Sequence, residues 1–194
     1  MAKALLVIDV QVDFCEGGAL GCDGGSAVAR GITEYLKVAK SSYDFVIASR
    51  DWHTPNDPNG GHFPPSDQAP DYVTNWPLHC IAGEAGAEYH PNLDTSLIDI
   101  HIKKGQGSHG YSIFDGTAED GEKFESLIAR LGVQSVDVVG IATDYCVLAS
   151  SLDAIKAGLS VRVITSLTAG VDRGSTEAAI DEMVDLGVSV VPTP

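Results

Sequence analysis

Basic residues are scarce in this chain: 12 lysines and arginines face 27 aspartates and glutamates over 194 residues, a formal net charge of −15. Such a surface repels phosphates and excludes nucleic acid as a partner. The acidic residues are scattered rather than gathered in a tail, and they read as a solvated surface. Cysteine is sparse too: Cys15, Cys22, Cys80 and Cys146 have neither CxxC spacing nor the density of a disulfide scaffold, so free thiols are expected. No stretch approaches the roughly 18 apolar residues of a membrane span. Nor does a charged lead with a cleavage site precede the first apolar run. The expectation is a cytoplasmic protein without membrane or nucleic-acid partners.

The hydrophobic content of 44% is ordinary, and the length suits one domain over residues 1–194. Six apolar runs read as strands: 4–10, 44–50, 99–103, 135–141, 159–165 and 188–192. Helices are predicted over about 26–40 with Ser26 as N-cap, near 120–131, over about 144–157, and from a Ser175 cap through Leu186. Strands that are apolar throughout and alternate with helices predict an α/β fold. Its form is a three-layer, six-stranded, mostly parallel doubly wound sheet with helices on both faces. Ligands of such sheets lie at the carboxyl ends of the strands, where Asp9, Asp51, Lys104 and the Asp144–Cys146 turn all fall.

These residues carry chemistry. A cysteine at the start of a helix has backbone N–H groups aimed at it, and the helix dipole is expected to favour its thiolate. With a carboxylate and an ammonium from neighbouring strand ends, Cys146 becomes a nucleophile beside a base and a cation, which points to an amidase. A long stretch, 51–92, rich in Pro, Gly, Asp and His, brings Asp51, His53, His62 and His79 into one segment. That donor set suits a divalent first-row ion such as zinc, iron or manganese. A plainer alternative leaves the same histidines as solvent-exposed or hydrogen-bonded loop residues, with His90 as a spare candidate and Cys80 as a small buried residue. Gly105–Gly110 matches G-x-G-x-x-G after a strand, but no helix start follows to hold a pyrophosphate. Those glycines are expected to turn the backbone beside Lys104.

The strings IDVQVDFCEGGAL (8–20), RDWH (50–53), NWPLHC (75–80), KKGQGSHGYSIF (103–114), VVGIATDYCV (138–147) and LTAGV (167–171), with the His62-Phe63 turn, run nearly end to end. Together they resemble the nicotinamidase (pyrazinamidase) branch of the isochorismatase-like cysteine hydrolases, whose fold is Rossmann-like. The resemblance implies Asp9 as general base, Lys104 as catalytic lysine and Cys146 as nucleophile. Lys104 is preferred to Lys103 because it directly precedes the glycine and because strand alternation puts only one of the pair in the pocket. It implies Asp51, His53, His62 and His79 as ligands of one divalent metal ion. Phe14 and Trp76 would sandwich an aromatic carboxamide, with Tyr111 and Tyr145 as further pocket residues. Tyr145 departs from relatives that carry His there. The Ile141-Ala142 bond resembles the family's cis peptide, which would aim the Ala142 N–H, with that of Cys146, at an oxyanion.

The activity implied is hydrolysis of nicotinamide to nicotinate and ammonia through a thioester, in NAD salvage, with pyrazinamide also accepted. The alternatives are a carbamoyl-amide hydrolase of the same superfamily, which would lack the metal ligands, and a non-catalytic metal- or ligand-binding domain. An apolar helix face could support a homo-oligomer.

Overall fold

The computed structural model describes residues 2–194. Its strands are β1 (Ala2–Ile8), β2 (Phe45–Asp51), β3 (Ile100–Lys104), β4 (Thr117–Ala118), β5 (Val133–Ile141), β6 (Ser160–Ala169) and β7 (Ser189–Val191). They form one sheet in the order β4-β3-β2-β1-β5-β6-β7, with every pairing parallel except β3 with β4. The sheet therefore has seven strands, not the six expected. The added edge strand β4 is two residues long, too short for any hydrophobic pattern to reveal it.

Alternation along β1 divides the core. Leu5 and Val7 pack on one face with Val28, Ala29, Ile32 and Leu36 of α1 (Gly25–Ala39). Ala4, Leu6 and Ile8 point the other way, to Phe124 and Ile128 of α2 (Phe124–Arg130), Ala154 of α3 (Leu148–Lys156) and Met183 of α4 (Arg173–Asp185). Both faces are covered, which is why the central strands are apolar throughout. Among the described residues, no helix is long and apolar enough to cross a membrane.

Several predicted boundaries move for local reasons. α1 has Gly24 at its N-cap, while Ser26 lies in the first turn and donates its hydroxyl to Glu16. α2 begins only at Phe124, after a turn around Gly121. The chain after β5 first makes a wide π turn, Thr143–Val147, and α3 starts at Leu148. α4 is capped by Asp172, which accepts from the Gly174 and Ser175 N–H groups, and Ser175 instead donates its hydroxyl to Asp144. Strand order runs outward in opposite directions from β1 and β5, and the crevice of such a sheet opens at that switch point. The two strands close tightly there: a Cβ on Gly140 (φ +118) would lie 2.1 Å from the Ile8 carbonyl oxygen.

Candidate active site

Four strand ends converge on this crevice. Asp9 leaves β1 with a left-handed φ of 45°, so its side chain departs from the strand alternation. Asp51 ends β2, Lys104 ends β3, and Cys146 lies in the turn after β5. Lys104 Nζ is 2.7 Å from Asp9 Oδ2, 2.5 Å from Asp51 Oδ1, 2.5 Å from the Gly110 carbonyl and 3.6 Å from Cys146 Sγ. The lysine and Asp9 are fully buried. Lys103 lies instead against the Trp52 ring, as alternation requires. No helix follows the glycine motif. Gly105 and Gly110 take φ of +82° and +65° and approach so closely that a Cβ on Gly110 would be 2.4 Å from Gly105 Cα. This turn brings the Gly110 carbonyl back onto the ammonium.

Burial and charge compete within the cluster. Burial raises the Asp9 carboxyl above the usual range, outweighing the Lys104 charge, and the neighbouring Asp51 adds to the rise. Burial would raise Asp51 too, but Lys104 and then His53 hold it well below the ordinary carboxylate value. For Lys104, burial is outweighed by Asp51 and Asp9, so the ammonium persists. The Cys146 thiol is pushed well up by burial, which Lys104 only partly opposes. Against the expected pull of the helix start toward the thiolate stands the desolvation of the anion in this dry turn, a burial that the sequence reading did not weigh.

The three histidines gather beside Asp51. Donor atoms of His53, His62 and His79 all lie within 4.8 Å of one another, and all three side chains are buried. Two are oriented from behind. His53 Nδ1 is 2.9 Å from the Gly105 carbonyl, and His79 Nδ1 is 2.7 Å from the Pro77 carbonyl. A carbonyl only accepts, so both Nδ1 atoms carry hydrogen and both Nε2 atoms are turned into the cluster. His53 Nε2 has no hydrogen-bond partner, and it lies 3.6 Å from Asp51 Oδ2. His79 Nε2 faces His62 Nε2 at 3.3 Å. Burial lowers the His79 pKa and takes that of His62 down to about 3, so these rings stay neutral near pH 7. Three buried imidazoles with ring nitrogens within 4.8 Å of one another, and a carboxylate oxygen adjoining them, fit a first-row divalent cation. The second acidic group, Asp9, Asp51 and Cys146, already holds the Lys104 ammonium. His90 and His101 stand elsewhere, against Ser26 and Tyr89.

Both clusters open on one cavity of about 280 Å³, whose walls include Cys146, Asp51, His62 and His79. Phe14, Trp76, Tyr111 and Tyr145 all line it, as does Ala142. The Trp76 indole N–H donates to the Tyr111 hydroxyl at 2.8 Å, and its ring meets Tyr145 edge-on at 5.2 Å. The Ile141-Ala142 peptide is cis. The Ala142 N–H makes no hydrogen bond among the described residues, leaving a free donor at the cavity wall. All thirteen residues expected at the site are therefore brought together.

Sequence reasoning missed Leu20, Cys22, Tyr72 and Val171 of the cavity wall, and two buried residues behind it. Gln11 clamps the Asp51 peptide, accepting from its N–H and donating to its carbonyl, both at 2.8 Å. Ser49 Oγ contacts Asp9. Ser49 and Asp51 are two apart on β2 and so share a face, a period-2 signal that was available.

Comparison with known proteins places the site in context. A family model described as Isochorismatase domain matches residues 3–194. The nicotinamidase/pyrazinamidase of Mycobacterium tuberculosis is 46% identical over 97% of this chain and 98% of its own. The nicotinamidase of Escherichia coli is 33% identical over 88% of this chain and 84% of its own. Among solved structures, a pyrazinamidase of Pyrococcus horikoshii in complex with zinc has a TM-score of 0.82 at 30% identity, covering 98% of this chain and 99% of that one. A protein of L. infantum in complex with nicotinate has a TM-score of 0.79 at 33% identity, covering 98% and 92%.

Proposed function

Because the chain belongs to the isochorismatase domain family, we propose from its site and its nicotinamidase relatives that it hydrolyses nicotinamide to nicotinate and ammonia, and accepts pyrazinamide. The observation that carries this reading is the single cavity with Cys146 at one wall and His62 and His79 at another. Phe14 and Trp76 both line this cavity, and on this reading they flank a small aromatic ring whose carboxamide meets the thiol. The histidine cluster favours an aryl carboxamide over a carbamoyl amide, and the Asp9–Lys104–Cys146 cluster favours catalysis over a purely binding role. The whole chain acts as one isochorismatase-like domain in the cytoplasm, with 51–92 as its metal-binding region.

Asp9 takes the thiol proton of Cys146, and the Lys104 ammonium offsets the negative charge while it moves between sulfur and carboxylate. A carboxyl made more basic by burial suits that task. The Cys146 sulfur attacks the carboxamide carbon. The resulting oxyanion is received by the free Ala142 N–H and by that of Cys146, donors typically worth about 3 kcal/mol each. Ammonia leaves with the proton held by Asp9. The same carboxylate then draws a proton from water as it attacks the thioester, that proton returns to the departing sulfur, and the nicotinic acid released gives up its own proton to solvent as nicotinate. Asp51, His53, His62 and His79 would hold one divalent ion (zinc, iron or manganese), which when bound supplies a Lewis acid that orients and polarises the ring. The aromatic walls exclude water and fix the ring plane.

The test is ammonia release from nicotinamide by purified protein, before and after chelation, with divalent ions added back. Turnover lost on chelation and restored by an ion is the expected result. Absence of hydrolysis with every ion would end this reading, and turnover indifferent to chelation would remove the metal from it.

A further inference from the structure

Asp9 is held by very little of the strand it follows. Its φ of 45° takes it out of the β1 ladder, and it must keep its side chain fixed in a fully buried position. The neighbouring strand supplies the missing support through one side chain. Ser49 Oγ, itself fully buried on β2, donates to Asp9 Oδ1 at 2.7 Å and accepts from the Asp9 N–H at 3.3 Å. Those two bonds close a ring between a hydroxyl and one residue, fixing backbone and carboxylate together. The carboxylate is thereby divided: Oδ1 belongs to Ser49, and Oδ2 faces Lys104 at 2.7 Å. The lone pairs left over are the ones that can exchange a proton with the Cys146 thiol.

We propose that Ser49 is a positioning residue for the reaction, holding the Asp9 carboxylate in the orientation that exchanges protons with Cys146. This rests on the reading of Asp9 as the base. Ser49 touches neither the cavity nor the sulfur, and it acts only through Asp9. Removing its hydroxyl leaves Asp9 Oδ1 and the Asp9 N–H without a protein partner at a site closed to water, and frees the carboxylate to swing toward Lys104. A base displaced by a fraction of an ångström loses rate rather than substrate affinity.

The experiment compares wild type, Ser49→Ala and Ser49→Thr, with Asp9→Asn as the control. The readouts are nicotinamide kcat and KM, metal content, and the rate of Cys146 alkylation by iodoacetamide followed by peptide mass spectrometry. Ser49→Ala is expected to lose on the order of tenfold or more in kcat, with KM and metal content near wild type and slower alkylation of Cys146. Ser49→Thr, which restores the oxygen, is expected to recover most of both rates. Wild-type kcat and alkylation in Ser49→Ala would overturn the proposal, as would a variant that is merely less heat-stable while its folded fraction reacts normally. If Ser49→Thr packs badly, the alkylation rate of Ser49→Ala alone decides. A wild type that releases no ammonia overturns the enzyme reading itself; an active wild type with Asp9→Asn dead and Ser49→Ala unimpaired overturns only the role of Ser49.

Discussion

Asp51 joins the two halves of the site through its two oxygens: Oδ1 is 2.5 Å from Lys104 Nζ, and Oδ2 is 3.6 Å from His53 Nε2. One carboxylate therefore faces both the ammonium of the cysteine cluster and the ring nitrogens of the histidine cluster. Its backbone is in turn gripped by Gln11, two residues beyond Asp9. A shift at either cluster is felt directly by this residue.

Among the described residues, Lys104 is the one lysine or arginine paired with both Asp9 and Asp51, and all three are buried. Replacing it with methionine keeps the bulk but leaves two carboxylates facing each other without a counter-charge. Removing one partner of a buried ion pair costs about 3–5 kcal/mol. Lys104→Met should lose turnover and unfold at markedly lower denaturant. A variant with wild-type stability and activity would show that the lysine is dispensable.

Cys146→Ala tests the other end of the cluster. The sulfur is buried, but it contributes one 3.6 Å contact to Lys104, so its loss should change stability by only about 1 kcal/mol. Ammonia release should fall to background while metal content and circular dichroism stay unchanged. Substantial turnover by this variant would sink the nucleophile assignment.

The parallel sheet and the strand-end residues were legible because each follows from local pattern. Apolar runs announce buried strands, and a polar residue closing such a run lies at the sheet edge where ligands bind. Lys104 could be told from Lys103 by its place directly before the glycine, with alternation allowing only one of the pair into the pocket, and the structure puts Lys103 on Trp52. What was not legible depends on contacts between distant segments. β4 exists only because two residues meet Ile102 and Lys103 from across a turn. The upward push on the Cys146 thiol follows from how completely the turn is buried, which a helix-start rule ignores. Ser175 looked like a cap, but Asp144 competes for its hydroxyl from 31 residues away.

In the middle of β5, Asp137 offers a stability test independent of the chemistry. It accepts from Tyr43 and Arg162 and pairs with Lys3 at 2.9 Å. Burial would raise its carboxyl, but Arg162, Tyr43 and Lys3 outweigh it and hold the pKa below the ordinary 3.8. A carboxyl depressed in the folded state stabilises above its unfolded value, and that contribution is lost as pH falls through the folded value. Asp137→Asn should therefore unfold more easily than wild type by about 2 kcal/mol at neutral pH. The gap should narrow as pH drops below 3.8. A gap that stays constant from pH 7 into strong acid would show that the charge of Asp137 contributes nothing.

Metal binding can be read without any turnover. An ion held by the folded chain and not by the unfolded one stabilises by mass action, about 2.7 kcal/mol at a hundredfold excess over Kd. For a chain of this size that corresponds to a rise in Tm of roughly 5–10 °C. Zinc added to chelated protein should produce such a rise. His62→Ala should lose most of it, because His62 Nε2 faces His79 Nε2 at 3.3 Å and its removal opens the cluster. His101→Ala should keep the rise, since its ring bonds the Tyr89 hydroxyl at 3.0 Å instead. Equal shifts in the two variants would mean that the ion binds elsewhere, because only one of these histidines has its lone pairs directed at the Asp51 cluster.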